Sequence, residues 1–356
     1  MNPMPSAFPG GACLPRPAPL SAFRGQAHPV PSGGFPVLLE TTASAVDLAA
    51  YLGRERERIL DLLTMAGAVL LRGFAVTDPE PFSRAIAALD PEILLYSERS
   101  SPRHAVGDRV YTSTDHPADQ DIVLHSEQSY THHWPCYICF CCHTPATSGG
   151  STPIADNRQI MRALPTGLLE RFERYGVRYE RTYTPGLGVS WQTAFQTDSK
   201  EEVAAFCRAR DIQHTWQADG CLKTRQIRSA FQTHPRTGER LWFNHALFFH
   251  ASSLEPRIAQ ALIDAVGLAN VPTNTFFGNG DAFTEEDLIA MRHAVAVHTR
   301  RFRWQVGDVL VLDNMICQHG RDPFDGPRRV LTLMARPYPS VAVPLPAPGR
   351  TLPAGA

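Results

Sequence analysis

From Asp121 onward the chain is a succession of short apolar runs, broken at close intervals by Pro, Gly and polar turn residues. This texture constrains the fold more than any other feature, because runs of roughly four to eight residues suit buried strands and are too short for most helices. Strands are expected near 121–127, 136–142, 151–155, 177–183, 214–217, 221–227, 240–244, 308–313 and 329–335. Helices fit better at 165–175, 199–210, 255–268 and 285–300. Two of these open with the spacing of a capping box, Asp198 with Glu201 and Thr284 with Asp287. Many strands with a few inserted helices exclude an alternating parallel α/β sheet and predict a β-sandwich or jelly roll.

The N-terminal part reads differently. Residues 1–35 are rich in Pro, Gly and Ala without hydrophobic periodicity, and are expected to form a poorly ordered arm. Ser44 with Asp47 has the spacing of a helix start, and Leu48, Tyr51, Leu52, Ile59, Leu62 and Leu63 fall near one stripe up to Met65. Gly67 ends that helix. Residues 68–74 then read as a buried strand, and Asp78-Pro79-Glu80 opens a helix with Phe82, Ile86 and Leu89 on its apolar face. One domain over 36–340 with a flexible tail over 341–356 accounts for the rest, since no linker or fixed-period repeat divides the chain. The formal net charge of -1 favours neither nucleic acid nor an anionic membrane. No run of about 18 apolar residues and no secretory pattern is present, so a cytoplasmic protein is expected.

Three segments carry residues suited to chemistry. In Ile122-Val123-Leu124-His125-Ser126-Glu127, a strand would project His125 and Glu127 from one face and Ser126 from the other. An imidazole and a carboxylate side by side supply two ligands of a 2-His-1-carboxylate set, which leaves open positions on iron(II). Downstream, the apolar run Val309–Leu312 delivers a loop containing His319, and Arg328-Arg329 come on the next strand. An Arg there has the planar fork that grips a carboxylate, but the two alternate across the strand and spacing does not choose between them. Gly149-Gly150-Ser151-Thr152 makes a tight turn that offers the Thr152 hydroxyl. Each segment alone has a structural explanation as turn, core strand or surface pair.

Cys136, Cys139, Cys141 and Cys142 raise a zinc site as a rival, since thiolates are good zinc ligands. The intervening residues are apolar, however, and buried free Cys behaves as a small hydrophobe. Strand alternation sets Cys139 and Cys141 on one face and Cys136 and Cys142 on the other.

Taken together, the ordered set resembles the taurine dioxygenase (TauD/TfdA) family of iron(II)/2-oxoglutarate oxygenases. That family carries His-x-Asp/Glu, a Gly-Gly-x-Thr segment, a distal His and a later Arg, which appear here as His125/Glu127, Thr152, His319 and Arg329. Leu70–Phe74 and His234-Pro235-Arg236-Thr237-Gly238 are similar to two further segments of the family, and the likeness spans roughly 37–338. Gly149–Asp156, Trp242-Phe243-Asn244 and His319-Gly320-Arg321 are most similar to the amino-acid β-hydroxylases of syringomycin-type peptide natural-product pathways.

The resemblance implies a double-stranded β-helix (jelly roll) of the clavaminate synthase-like type. It implies iron(II) on His125, Glu127 and His319, 2-oxoglutarate held by Thr152 and Arg329, and dioxygen as oxidant. Hydroxylation of an amino-acid-like small molecule, free or tethered to a peptidyl carrier protein, with release of succinate and CO2, is the implied reaction. Halogenating relatives lack the carboxylate ligand, so Glu127 argues for hydroxylation, with desaturation or another oxidation of a small organic acid as the variant. Asp121, Gln128, Trp191 and Asn244 are expected near the rim of the substrate site, where a carboxylate would pair with an amino group. Two rivals keep the fold but change the role: a non-catalytic jelly-roll binding protein, and a zinc hydrolase, for which no base or oxyanion site is visible.

Overall fold

A computed structural model of the chain describes residues 30–31, 34–42, 46–74, 76–94, 105–107, 109–113 and 116–339. Most of the expected arm (1–35), Ser44 and the expected tail (341–356) lie outside the described residues. An eight-stranded sheet forms the centre, and its core is the run of Val309–Asp313, His133–Thr144 and Arg329–Pro339 in neighbouring antiparallel positions. These strands are apolar on both faces because both are covered. One face, with Cys139, Cys141, Val309, Val311, Leu331 and Leu333, packs on the helices Leu48–Arg54, Arg56–Ala66 and Pro79–Leu89. The other face, with Ile138, Phe140, Leu310 and Leu312, meets Ile154 and Cys317 of a three-stranded sheet. Two facing sheets with helices inserted outside them give the mainly β architecture expected from the sequence.

The three-stranded sheet is ordered Ile122–His125, Cys317–Arg321, Ile154–Asp156. A separate four-stranded sheet, ordered Gln213–Trp216, Leu222–Arg228, Val177–Tyr183, Thr273–Phe277, stands beside it. Its strand 177–183 has the boundaries expected from the sequence. Thr273–Phe277 is a strand that the sequence pattern does not announce, and Asn157–Ala163 is a helix of the same kind.

Several expectations are corrected locally. The stripe from residue 48 to 66 is two helices broken at Glu55, with Asp47 accepting from Ala49 N as the first cap and Gly67 closing the second at φ 79°. The helix Lys200–Ala209 is capped by Ser199, which accepts from Glu202 N, one residue later than Asp198 and Glu201 suggest. Thr284 and Asp287 do form the reciprocal capping box. Cys136 joins Cys139 and Cys141 in the same cluster, and only Cys142 points to the other face. Burial pushes the Cys136, Cys141 and Cys142 thiols up to about 12, which disfavours the thiolates a zinc site needs.

Two motif pieces turn out to be joined. Arg72, from the strand Ala68–Arg72, forks onto both carboxylate oxygens of fully buried Asp308, at 2.9 and 2.7 Å. Asp308 Oδ2 also accepts from Gln305 N at 2.8 Å, so one carboxylate ties the incoming strand to the turn before Val309.

Close approach of backbone fixes the middle of the three-stranded sheet. Gly320 N donates to Pro153 O at 3.0 Å on one side, and a Cβ at Gly320 would run into the Ile122 carbonyl oxygen on the other. Gly320→Ala is therefore expected to destabilise the fold by about 2 kcal/mol. Gly167, which lies in the helix Thr166–Tyr175 with nothing within 4 Å of a built Cβ, serves as control. Its replacement by Ala is expected to be neutral or slightly stabilising. Denaturant midpoints measure both, and equal midpoints for the two variants would contradict the packing.

Candidate metal centre and cavity

His125 ends its strand, and His319 lies directly opposite it in the adjoining strand. The sequence pattern puts His319 on a loop and Glu127 in a strand. Both are corrected: Cys317–Arg321 is a strand, and Glu127 sits in the turn after His125. Cross-strand neighbours on an antiparallel pair come within direct side-chain reach, so the register alone brings the two imidazoles together. Their rings are 4.6 Å apart.

Glu127 reaches the same point by a different device. Asn314, just after the strand Val309–Asp313, accepts from Glu127 N at 2.6 Å through Oδ1. Its Nδ2 donates to Glu127 O and to Pro135 O, both at 2.9 Å. The turn is thus clamped to the strand that leads toward His319. Glu127 Oε2 ends 3.9 Å from His319 Nε2, and one ligand atom from each of His125, Glu127 and His319 lies within 4.8 Å of the others. All three residues are buried.

The donor set fits a divalent transition metal. A carboxylate and two imidazoles gathered in the interior carry a large desolvation cost, which a cation offsets. His125 Nδ1 lies 2.9 Å from Val123 O, a geometry that protonates Nδ1 and turns the Nε2 lone pair toward the site. Phe248 stacks on the His125 ring at 4.2 Å, and His245 stands edge-on to it at 5.5 Å. Burial holds the His245 imidazole well below its usual range, so it is neutral beside the site, with Nδ1 2.6 Å from Ser129 Oγ.

The two histidines of the triad open on a cavity of about 410 Å³, which Thr152 also lines. That is room for a small organic substrate together with a dicarboxylate. Thr152 is buried, and Trp304 Nε1 donates to its Oγ1 at 3.1 Å, which leaves the hydroxyl proton for another acceptor. The stretch carrying Thr152 runs alongside residues 320–323, bonded through Gly150 N to Pro323 O and Asp322 N to Ser151 O.

Arg329 does not line this cavity. It is exposed, and the residue on the cavity wall is Arg328, whose Nε donates to Gly150 O at 3.0 Å. Val330 and Met334 face the side shared with Ile154, and Arg328, just before the strand Arg329–Pro339, is held on the cavity side by its bond to Gly150 O. A register shift between Arg329 and Val330 marks where the strand joins the sheet. Burial pushes the Arg328 guanidinium down to about 10, the mark of a cation held away from water.

The rim residues divide. Asp121 is exposed and lines the cavity. Gln128 is buried behind the turn at φ 55° and is not on the cavity wall. Trp191 packs edge-on against Trp216 in a separate cluster, at 5.1 Å. Asn244 is buried in structural bonds, donating to Ala230 O and accepting from Ala246 N, both at 2.9 Å. Gln128, Trp191 and Asn244 are therefore corrected as rim residues.

Residues that sequence reasoning misses include Arg181 and Arg321. Arg181 lines the cavity from the strand Val177–Tyr183. Arg321 shapes the mouth, donating to the carbonyl oxygens of His116, Pro117 and Gln120. A cation in the otherwise apolar alternation of 177–183 is the available signal for the first. The second has the signature only of its distance from His319.

The family model described as "Taurine catabolism dioxygenase TauD, TfdA family" matches residues 34–335. The dapdiamide synthesis protein DdaC of Enterobacter agglomerans is 37% identical over 308 residues, covering 86% of this chain and 94% of that protein. A clavaminate synthase-like protein of Arabidopsis thaliana is 27% identical over 318 residues, covering 86% and 92%. The crystal structure of the PvcB protein from Pseudomonas aeruginosa superposes with a TM-score of 0.50 at 17% identity, covering 84% of each chain, which bears on the jelly-roll fold. No helix among the described residues is long and apolar enough to cross a membrane.

Replacing Asn314 by Ala removes three bonds and orphans buried backbone groups of Glu127 and Pro135. The expected loss is about 3 kcal/mol of stability and roughly 10- to 100-fold in metal affinity. Chemical denaturation and a titration with cobalt(II) measure these, and unchanged cobalt affinity in a folded variant would detach Asn314 from the metal centre.

Proposed function

The chain belongs to the TauD/TfdA family of iron(II)- and 2-oxoglutarate-dependent dioxygenases, and from that premise we propose that it hydroxylates an unactivated C–H bond of an amino acid or amino-acid-derived small molecule. The observation that carries this reading is the buried set of two imidazoles and one carboxylate, whose two histidines line a cavity that also holds Thr152 and Arg328. DdaC is by its name a protein of dapdiamide synthesis, which supports a place in natural-product biosynthesis for this chain. That the substrate is free or tethered to a peptidyl carrier protein, and that the protein is cytoplasmic, belong to the same proposal.

His125, Glu127 and His319 would hold iron(II). Iron(II) held there would supply, with 2-oxoglutarate and dioxygen, an oxidation that puts one oxygen atom on the substrate carbon and the other in succinate, with release of CO2. The protein's own part is placement. Arg328 and Thr152 would bind the far carboxylate of 2-oxoglutarate, the guanidinium by charge and the hydroxyl by the proton that Trp304 leaves available. Phe248 shields the His125 side of the site from water. Asp121, exposed at the cavity wall, would pair with the amino group of the substrate.

Glu127→Ala is expected to lower succinate formation by at least roughly 100-fold. Arg328→Ala is expected to raise KM for 2-oxoglutarate by about 10- to 100-fold, the worth of a charge-assisted bond, while Arg329→Ala changes it by less than about twofold. Succinate assays with iron(II) and varied 2-oxoglutarate measure all three. The opposite order of the two arginine variants would return the role to Arg329, and full turnover without Glu127 would remove it from the metal shell.

A further inference from the structure

The strand Val177–Tyr183 belongs to the four-stranded sheet and not to the sheets that carry the triad. Its alternate residues Tyr179, Arg181 and Tyr183 share one face. Tyr179 is fully buried, and its hydroxyl accepts from His245 N at 2.9 Å, which fixes this face beside the metal centre. Arg181 therefore projects a cation from a row that is otherwise aromatic. Its guanidinium carbon lies 4.9 Å from the Tyr183 ring centre, 5.8 Å from Phe249 and 5.9 Å from Tyr130.

Ring contacts run unbroken from there to the triad. Phe249 stands 4.8 Å from His245, and His245 stands 5.5 Å from His125. Arg181 and His125 line the same cavity, with Arg328 entering it from the strand region next to Thr152. Of the three guanidinium groups on the cavity wall, that of Arg321 donates to the carbonyl oxygens of His116, Pro117 and Gln120, and the other two, Arg181 and Arg328, come from separate parts of the fold. A dicarboxylate chelating the metal would engage one of them through its far end, and the bond of Arg328 to Gly150 O beside Thr152 favours Arg328 for that task. The second guanidinium, backed by aromatic faces that lower the local dielectric, strengthens any charge-assisted bond it makes to an anion entering the cavity.

We propose that Arg181 binds a free carboxylate of the substrate, so that the enzyme takes an amino acid in its acid form and not as a carboxamide, ester or carrier thioester. This rests on the oxygenase reading above for the cavity's purpose and deepens it by naming the substrate class. A thioester uses up the carboxylate that Arg181 would recognise. With Asp121 at the same cavity, the two side chains present the complement of a zwitterion: a cation for the carboxylate and an anion for the ammonium group.

The test compares the wild type with Arg181→Gln and Arg181→Lys, loaded anaerobically with iron(II) and 2-oxoglutarate. Calorimetric titration uses the common L-amino acids, each against its own carboxamide and its N-acetylcysteamine thioester. At least one free acid is expected to bind the wild type about 10- to 100-fold tighter than its carboxamide or thioester. Arg181→Gln should lose that factor on the acid and nothing on the carboxamide, and Arg181→Lys should recover part of it. Equal binding of acid and carboxamide, binding of no acid, preference for the thioester, or full acid affinity in Arg181→Gln would overturn the proposal. Should Arg181→Gln fail to fold, the wild-type comparison of acid with carboxamide and the Arg181→Lys titration still decide it. If an acid binds as expected but no succinate forms from the loaded wild type in oxygen, the oxygenase reading falls while the carboxylate site stands.

Discussion

The side-chain amide of Asn314 is the contact on which the candidate site depends. It bonds both polar groups of the Glu127 peptide and one of Pro135, in a region where water cannot substitute. The partners are separated by 187 residues in the chain, so this single amide converts a long-range topological fact into the position of a carboxylate. A neighbouring amide repeats the device. Asn157 donates to Ser126 Oγ and Met315 O and accepts from Gln318 Nε2, so both residues flanking the ligands are held as well. Interior hydrogen bonds contribute modestly when made and cost heavily when lost, which makes such amides better at fixing geometry than at adding net stability.

Asp313 completes the frame. Its Oδ1 accepts from Met315 N and Ile316 N, and its Oδ2 faces His234 Nε2 at 2.9 Å. His234 Nδ1 already accepts from Arg236 N and Thr237 N, so the ring proton must be on Nε2 and donates to Asp313. The hairpin motif His-Pro-Arg-Thr-Gly therefore serves the turn before His319 and does not touch the cavity. Arg72 with Asp308 plays the equivalent part at the other end of the same strand. Three motif segments far apart in sequence are in this way restraints on one strand, Val309–Asp313, and on the turn that leads from it to His319.

Much of this is legible in the residues. Strands such as 177–183 and helices such as 285–298 come from periodicity and caps, because those signals are local. The triad is legible too, although for a partly mistaken reason. Strand alternation accounts for His125 and Glu127 in the sequence, whereas a turn held by Asn314 positions the carboxylate, and no local rule reveals a bond across 187 residues. Arg328 against Arg329 fails for a related cause: alternation says that one faces inward, but which one depends on a register shift and a bond to Gly150 O, both made with partners distant in sequence. Gln128, Trp191 and Asn244 look polar or amphipathic in sequence and suggest a rim. Gln128 and Asn244 are buried instead, Asn244 with its amide satisfied, and Trp191 packs half-buried against Trp216.

The cavity wall is assembled from parts with separate supports, and this bears on how chemistry and selectivity can coexist in it. His125, Thr152, His319 and Arg328 come from the facing sheets and their connections, all locked to the central core by buried amides and ion pairs. Arg181 and Tyr183 come from the four-stranded sheet, which packs on apolar clusters around Phe172 and Phe277 toward one end and Val203 and Leu222 toward the other, while Tyr130 and Phe249 reach Arg181 from outside it. A substitution at Arg181, which bonds to none of Asn314, Asn157 and Asp313, can therefore alter what the cavity admits while those three residues hold the metal centre. The reverse does not hold, because a shift of the Glu127 turn would move the point at which any substrate must present its C–H bond. Selectivity can reside on the inserted sheet because the reacting centre is held from elsewhere.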